Sequence, residues 1–510
     1  MFKSTFLGHA GWLIRNKEFK CLCDPWLTKH GAYFGEWYQF PANHHLLNDE
    51  LISDLDFIYI SHVHEDHYDR CFLDQVSKDV PIVIPDFVDK SFYNKIINLG
   101  FIDVRELNKT ISESFSGITI KIIKEEGYLD ADSCLFLSDG NKNILNLNDC
   151  HIDFDLIKNI VGQVDLLLLQ SSNAIWWPCC YEYEDEKKKK LGKLKRDNIL
   201  KRTLEYCRVL EAKNVIANAG PPIFISEDLD EWNYNRREPY NPFILMDDST
   251  DYLIQNGVNS HLVIPGSTFY LSNSPFIDTP QDEINKIYDN YETYLSEYLK
   301  ELRSLPKNIS GVYTKNVVSK FRKQLERIKK ASKFYVDKIN YPVMFDFGYL
   351  GKWVLDFTKE ELLTEYTNQL YNYRFNLDPE KVALTISGKV KDFEYYFLSC
   401  LFTCSRNPDE YNEFLFAMLK HFDLKRLSMS ESLYADRENV LDETFVLKHG
   451  DSTYEVQKYC PHMLANLEKT GFIDNGFLVC PLHGWKFSLE NGKCENNQGF
   501  CLKVRKNDKK

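Results

Sequence analysis

Short apolar runs separated by turn residues dominate the first half of the chain. Ile58-Tyr59-Ile60, Ile82-Val83-Ile84, Ile144-Leu145-Asn146-Leu147 and Asp165–Leu169 have the length and branched content of buried strands. Pro81 and Pro85 bracket the second run and keep it short. Met1–Ile14 reads directly as strand and loop, and around Glu184–Arg208 the pattern turns helical, with Lys187–Lys190 as a solvated face. Strands alternating with helices predict an α/β or layered α+β domain over residues 1–275.

The pattern changes near Phe276. Thr279-Pro280 is a cap followed by proline at the first helical position, and Ile284, Ile287, Tyr291, Tyr294, Leu295, Tyr298 and Leu302 then follow helical spacing. A second helix is expected across Val317, Phe321, Leu325 and Ile328. Strand-like alternation follows at Val343, Phe345 and Phe347, and again near Leu384 and Ile386. Asn407-Pro408 is expected to open another helix, with Tyr411, Phe414, Leu415, Met418, Leu419 and Phe422 on one face. Residues 276–425 thus read as a packed α+β region whose role the pattern does not reveal. After Lys425 short strands return at Thr444–Leu447, Thr453–Val456, Phe477–Val479 and Trp485–Ser488, predicting a small all-β domain over 426–510.

Composition narrows the function classes. At 510 residues the chain is long enough for several domains, with 44% hydrophobic and 14% aromatic residues to fill their cores. The net charge is −13 and the basic residues are scattered, which argues against nucleic acid as a partner. No run approaches the roughly 18 apolar residues of a membrane span, and the N-terminus lacks a signal-peptide pattern. The expectation is a soluble, cytoplasmic protein whose 14 cysteines are reduced thiols and metal ligands.

Two segments carry chemistry. The first is near the C-terminus: Cys460-Pro461-His462, and later Cys480-Pro481-Leu482-His483-Gly484-Trp485. Two loops each offer one thiolate and one imidazole. In a Rieske [2Fe–2S] centre two cysteines bind one iron and two histidines the other, which raises the reduction potential above that of an all-cysteine cluster. A structural zinc site also takes Cys2His2, but its fingers supply both cysteines before both histidines, whereas the order here alternates. Cys460, His462, Cys480 and His483 are therefore the expected cluster ligands, and Cys494 and Cys501 are expected core thiols.

The second follows the strand Phe57–Ile60: Ser61-His62-Val63-His64-Glu65-Asp66-His67-Tyr68-Asp69. Alternate residues of an extended segment share a face, so His62 and His64 can meet one metal while Asp66 and His67 reach a neighbouring position. This string resembles the metallo-β-lactamase fold family, which implies an αββα sandwich with a metal site at the rim of two sheets. Gly8-His9-Ala10-Gly11 and Asp24-Pro25-Trp26-Leu27 look like early loops of that family, and Asn146-Leu147-Asn148-Asp149-Cys150 ends a strand where the family has a bridging aspartate. By that resemblance Asp149 is a ligand with His62, His64, Asp66 and His67, His9 lines the site, and Asp24 supports the ligand histidines. Two family histidines are missing: Glu126–Cys134 holds none, and neither does Val215–Pro221. His62, His64 and Asp149 then resemble a facial triad for non-haem Fe(II), with zinc or manganese as alternatives and Asp132 or His151 as possible completing ligands.

A metallo-β-lactamase-like domain with a Rieske domain resembles the CMP-N-acetylneuraminate hydroxylase family, over roughly Met1–Ser272 and separately Glu443–Val504. In the animal-type hydroxylases the Rieske domain comes first; here it comes last. The resemblance implies an iron-dependent oxygenase that uses O2, takes electrons from an external reductase or a ferredoxin- or cytochrome-type carrier, and acts on a nucleotide sugar or an amide- or amine-bearing small molecule. His9 and Asp66 are then the candidate catalytic groups that handle protons, and the middle region holds the two sites together within one chain or across an oligomer. Trp176, Trp177, Cys179 and Cys180 are either a substrate wall or core. The alternative function is a metal-dependent hydrolase of phosphoesters or lactones with a redox-sensing Rieske domain.

Overall fold

Phe57 and Tyr59 point to one side of their strand and Ile58 and Ile60 to the other, and all four are buried. A strand apolar on both faces must lie inside a sheet covered on both sides. The structure is a computed structural model that describes residues 1–125, 129, 132–306, 316–359, 363–386, 393–496 and 499–507. The chain divides into two units, one of Met1–Glu126, Asp130–Ala174 and Gly192–Pro306, the other of Gly127–Leu129, Ile175–Leu191 and Lys307–Lys510.

In the first unit the described strands form a small sheet of Trp37–Tyr38 and Ile223–Phe224 and two large ones. One runs in the order Phe276–Asp278, Thr268–Leu271, Phe2–Gly8, Gly11–Asn16, Phe19–Cys23, Phe57–Tyr59, Ile82–Pro85 and Val104–Leu107; its last four strands are parallel. The other runs Val215–Asn218, Leu166–Gln170, Asn143–Asn148, Ser133–Ser138, Ile118–Lys124 and Ser112–Phe115. Phe2, Phe6, Trp12, Phe57 and Tyr59 share one core with Ile120, Ile122, Leu135, Ile144, Leu168 and Ile216 from the second sheet. The opposite face of the first sheet packs Ile58, Ile60, Ile82 and Ile84 against Phe72, Leu73, Phe92 and Ile96 from helices Arg70–Leu73 and Ser91–Asn98. Beyond the second sheet lies the part of the helix Asp185–Val209 from Gly192 on, whose Thr203 hydroxyl bonds the Gln170 carbonyl at 3.0 Å. The layering is helix, sheet, sheet, helix. The expected helical spacing over 284–302 is met by Gln281–Ile284 and Tyr291–Arg303, which pack in this unit through Tyr291, Leu295 and Leu302.

The second unit holds a sheet of described strands in the order Leu363–Glu365, Lys352–Asp356, Pro342–Asp346, Tyr373–Leu377 and Phe402–Arg406. Phe321 from the helix Val317–Ala331 meets Phe345 and Phe393 edge to face and stacks on Phe422. Three local expectations fail here. Leu384 and Ile386 lie in a helix, Pro379–Ile386, because Asp378 accepts the Glu380 N–H at 2.8 Å and proline takes the first turn. Asn407-Pro408 does not start a helix; Asn412 does, its side chain capping Leu415 N at 3.0 Å ahead of Glu413–Lys420. Strands do not resume at Lys425 either, since Asp423 caps a helix over Leu424–Val440 whose buried face is Leu427, Ser430, Tyr434 and Arg437. The final segment is all-β as expected, with the sheets Thr444–His449, Ser452–Gln457, Val504–Asn507 and Phe472–Asp474, Phe477–Cys480, Trp485–Ser488. Among the described residues no helix is long and apolar enough to cross a membrane.

Candidate functional site

Four strand ends of the first unit turn on residues with left-handed backbone: His9 (φ 51°), Asp24 (φ 41°), Asn148 (φ 50°) and Ala219 (φ 52°). Such a conformation is strained for a residue with a Cβ, and strain clusters where a site needs its side chains aimed. His9 O accepts from Ala219 N at 2.9 Å, which ties two of these ends together. Between them lies the loop that leaves Phe57–Tyr59.

Asp24 organises the loop. Its carboxylate accepts from Ser61 N (2.8 Å), Ser61 Oγ (2.7 Å), His67 Nδ1 (2.9 Å) and Asn148 Nδ2 (2.7 Å). Since His67 donates through Nδ1, its Nε2 is the atom left for a metal ion or a second proton, and it faces Asp149 Oδ2 at 3.5 Å and Asp66 Oδ2 at 3.8 Å. Ser61 Oγ, having given its proton to Asp24, accepts from His62 Nδ1 at 2.9 Å. His62 Nε2 then lies 2.9 Å from His64 Nδ1 and 3.6 Å from Asp132 Oδ1. Asp66 is held from both sides, by the Tyr33 hydroxyl at 2.6 Å and by His9 Nε2 at 3.0 Å.

Three groups of ligand atoms converge within 4.8 Å: His62, His64 and Asp132; His62, His67 and Asp149; His9, Asp66 and His67. All five sequence-predicted metal residues, and His9, enter at least one of them, but the expected triad of His62, His64 and Asp149 is split, His64 grouping with Asp132 and Asp149 with His67. Of the two completing ligands left open, Asp132 joins a group, whereas His151 Nε2 bonds Gln170 Oε1 at 3.3 Å. The histidine-free stretch 126–134 lies outside the described residues at 126–128 and 130–131. Tyr33, Ser61 and Asn148 carry no motif and were missed by sequence reasoning, because each matters only through the residue it bonds.

The site packs opposite charges into a buried space. Burial, then the neighbouring His67 charge, pushes His62 well below the usual imidazole range. Burial also opposes charge on His67, but Asp149, Asp24 and Asp66 outweigh it and hold that ring well above its usual value. Burial would raise Asp149 and Asp66; the His67 charge and its histidine neighbours hold both carboxyls below the usual range. His67 Nε2 and Asp149 Oδ1 are buried without hydrogen-bond partners. Imidazoles and carboxylates with lone pairs aimed inward fit one or two divalent first-row metal ions.

In the second unit Cys460 and Cys480 are buried, and the Cys460 thiol is pushed up by burial and then by Cys480 beside it. Each cysteine opens a tight turn: Leu464 N bonds Cys460 O at 3.1 Å, and Gly484 N bonds Cys480 O at 2.8 Å with φ 67°. His462 and His483 are partly exposed, with ring centroids 4.5 Å apart, and His462 stacks on Trp485 at 4.2 Å. Two adjoining buried thiols and two imidazoles at the surface fit a [2Fe–2S] cluster with its histidine edge outward. One ligand loop is braced from below: Arg437 Nη2 donates to Pro461 O at 2.7 Å and to Glu413 at 2.9 and 3.0 Å. Cys494 is buried, but Cys501 is exposed and not a core thiol. Trp176 packs on Phe397 and Phe416, and Cys180 Sγ points at Cys400 O at 3.7 Å, so these residues belong to the core of this unit.

Comparison with known proteins adds the following. A model of the beta-lactamase superfamily domain matches residues 3–165, an Rv3818-like, SCP2-like domain matches 317–436, and a Rieske [2Fe-2S] domain matches 424–502. A Mycolicibacterium smegmatis protein named for a Rieske 2Fe-2S cluster is 29% identical over 528 residues, covering 98% of this chain and 99% of its own. Cholesterol 7-desaturase of Hemicentrotus pulcherrimus is 46% identical over 52 residues, 10% of this chain and 11% of its own. Mouse cytidine monophosphate-N-acetylneuraminic acid hydroxylase is 26% identical over 151 residues, 29% of this chain and 26% of its own. The chain thus carries a metallo-β-lactamase-fold domain at its N-terminus and a Rieske domain at its C-terminus, and its likeness to the hydroxylase is distant.

Proposed function

We propose, from a Rieske domain and a metallo-β-lactamase-fold domain on one chain, that this protein is a non-haem iron oxygenase acting on a small molecule. Its substrate class would be a nucleotide sugar or an amide- or amine-bearing natural-product intermediate. The observation that carries this reading is the pairing of a Cys2His2 cluster site with a histidine–carboxylate site whose late-strand histidine is absent. A hydrolase has no use for electrons delivered singly; an oxygenase does. Iron at His62, His64 and Asp149 would supply the oxygen chemistry, and the cluster at Cys460, His462, Cys480 and His483 the electrons.

The chain's own residues have definite work in this scheme. Asp24 and Ser61 fix the tautomers of His67 and His62, so that both rings turn their Nε2 atoms inward. In a site without a second ion, a proton can be shared between His9 Nε2 and Asp66 Oδ2, with the Tyr33 hydroxyl bonding the other carboxylate oxygen. Trp485 stacked on His462 restrains one cluster ligand while leaving the ring partly open to an electron carrier of ferredoxin or cytochrome type. We take the metal domain to extend to about Pro306, where the first unit ends, with the middle region following it.

The test is oxygen consumption by the anaerobically purified full-length chain, given a reductase, reductant and candidate substrates. Uptake should require reductant and be lost in Cys460→Ala, while iron outside the cluster stays bound. If Cys460→Ala instead cleaves a phosphodiester or lactone at the wild-type rate, without oxygen or reductant, the oxygenase reading falls and the hydrolase takes its place.

A further inference from the structure

The late strand Val215–Asn218 brings no histidine, aspartate or glutamate to the site, yet the group His9, Asp66 and His67 gathers three ligand atoms beside its end. We propose that His9 is a metal ligand: with Asp66 and His67 it completes a second position for a divalent transition-metal ion, so that this domain binds two ions. The inference rests on the reading of this domain as a metal site and changes the role of His9 from proton partner to ligand.

Four observations support it. His9 Nε2 is 3.0 Å from Asp66 Oδ2, and His67 Nε2 is 3.8 Å from the same oxygen; ligand atoms around one first-row ion at about 2.1 Å are separated by about 3–4 Å. All three side chains are buried, with His9 at 2%, Asp66 at 3% and His67 at 1% exposure. The His9 backbone is left-handed, at φ 51°, and its carbonyl is pinned by Ala219 N, so the residue after the first strand is held against the end of the late strand. His67 keeps its Nε2 inward because Nδ1 is committed to Asp24 at 2.9 Å. Without an ion, a proton between His9 and Asp66 takes the place of the metal. Asp149 shares a group with His62 and His67, and His67 also belongs to the group of His9 and Asp66.

The position has a chemical preference. Two imidazoles and a carboxylate are hard-to-borderline donors suited to Fe(II), Mn(II) or Zn(II), and without thiolate they do not select soft ions. Manganese is a useful probe because it is separable from the cluster iron. The full-length chain, holding its cluster, would be titrated anaerobically with Mn(II), desalted, and analysed for metal content and EPR spectrum. Wild type should retain two manganese per chain with the exchange-coupled signal of a pair. His9→Ala should retain one, with a simple six-line spectrum and unchanged cluster absorption. His9→Gln separates the roles, since its amide can restore the hydrogen bond to Asp66 but is a poor ligand. It should also retain one.

One manganese in the wild type, or two in His9→Ala or His9→Gln, overturns the proposal. If His9→Ala does not fold, anomalous scattering from manganese-soaked wild-type crystals decides the question. A second peak within ligand distance of His9 Nε2 supports the assignment, and its absence rejects it. The count does not depend on oxygen activation, so two manganese without reductant-dependent oxygen uptake would sink the oxygenase and leave this site standing.

Discussion

Arg437→Met tests whether the ligand loop at Pro461 depends on the buried pair beneath it. Arg437 and Glu413 have side-chain exposures of 4% and 13%, and Arg437 also donates to the Pro461 carbonyl beside the ligands Cys460 and His462. Burial already raises Glu413 above its usual range, with the Arg437 charge pulling the other way. Removing the guanidinium leaves a buried carboxylate that escapes by taking a proton. At pH 7, starting from an unfolded-state value of about 4.3, that escape costs about 3.7 kcal/mol in all, part of which the already raised carboxyl carries in the wild type, so it caps the loss from Glu413. The lost bond to Pro461 adds about 1.5 kcal/mol, and relief of the arginine's own desolvation offsets part of the sum. A net loss of about 3 kcal/mol, with a urea dependence of about 3 kcal/mol per molar for a unit of this size, lowers the urea midpoint by about 1 M.

The assay is urea unfolding of the holoprotein followed at the visible cluster band. The pH dependence has a definite sign. Protonating Glu413 becomes cheaper as pH falls toward about 4.3, so at about pH 5.5 the deficit should shrink, by at most about 2 kcal/mol. A second substitution, Glu413→Leu in the Arg437→Met background, should recover most of the loss, because a buried pair replaced as a whole leaves no stranded charge. A midpoint within about 0.3 M of wild type at pH 7, or a deficit that does not change with pH, would refute the reasoning.

The remaining expectations can be stated briefly. His483→Cys should keep a coloured protein but lower the cluster potential by on the order of 100 mV in protein-film voltammetry, because an anionic ligand replaces a neutral one; a colourless, zinc-only protein would reject the cluster. His64→Ala should lose iron in excess of the two cluster atoms while the visible band persists, as measured by metal analysis. Burial would raise Asp165, but Lys213 Nζ at 2.8 Å and Asn143 N at 3.0 Å hold its carboxyl below the usual range. Its contribution is therefore present above about pH 4 and lost as pH falls through the depressed value. Asp165→Asn should cost about 1 kcal/mol at neutral pH and nothing in acid, read from the tryptophan-fluorescence midpoint.

Both chemical segments were legible in the sequence because their donors are local. His62, His64, Asp66 and His67 come from one loop after one strand, and each cluster loop brings its own cysteine and histidine. The strands of the sandwich were legible for a similar reason: a strand buried on two faces is apolar on both sides, and Phe57–Tyr59 and the four leucines at 166–169 stand out without knowledge of their partners. The middle region misled at Leu384–Ile386, Asn407-Pro408 and Lys425. There, short apolar stretches suit either element, and capping side chains at Asp378, Asn412 and Asp423 decide where helices start.

What only the tertiary structure decided is which distant residues meet. Asp132 rather than His151 faces His62, although the two lie on neighbouring loops, because His151 is turned toward Gln170 on the next strand. Tyr33 and His9 close on Asp66 from separate parts of the chain, and Asp24 reaches Ser61, His67 and Asn148 at once. Arg437 reaches the Pro461 loop from a helix read in the sequence as the edge of an all-β domain. None of these pairings leaves a periodic trace. Strand and helix patterns record which side of an element is dry, whereas the atom a polar side chain bonds is set by long-range closure of the sheets.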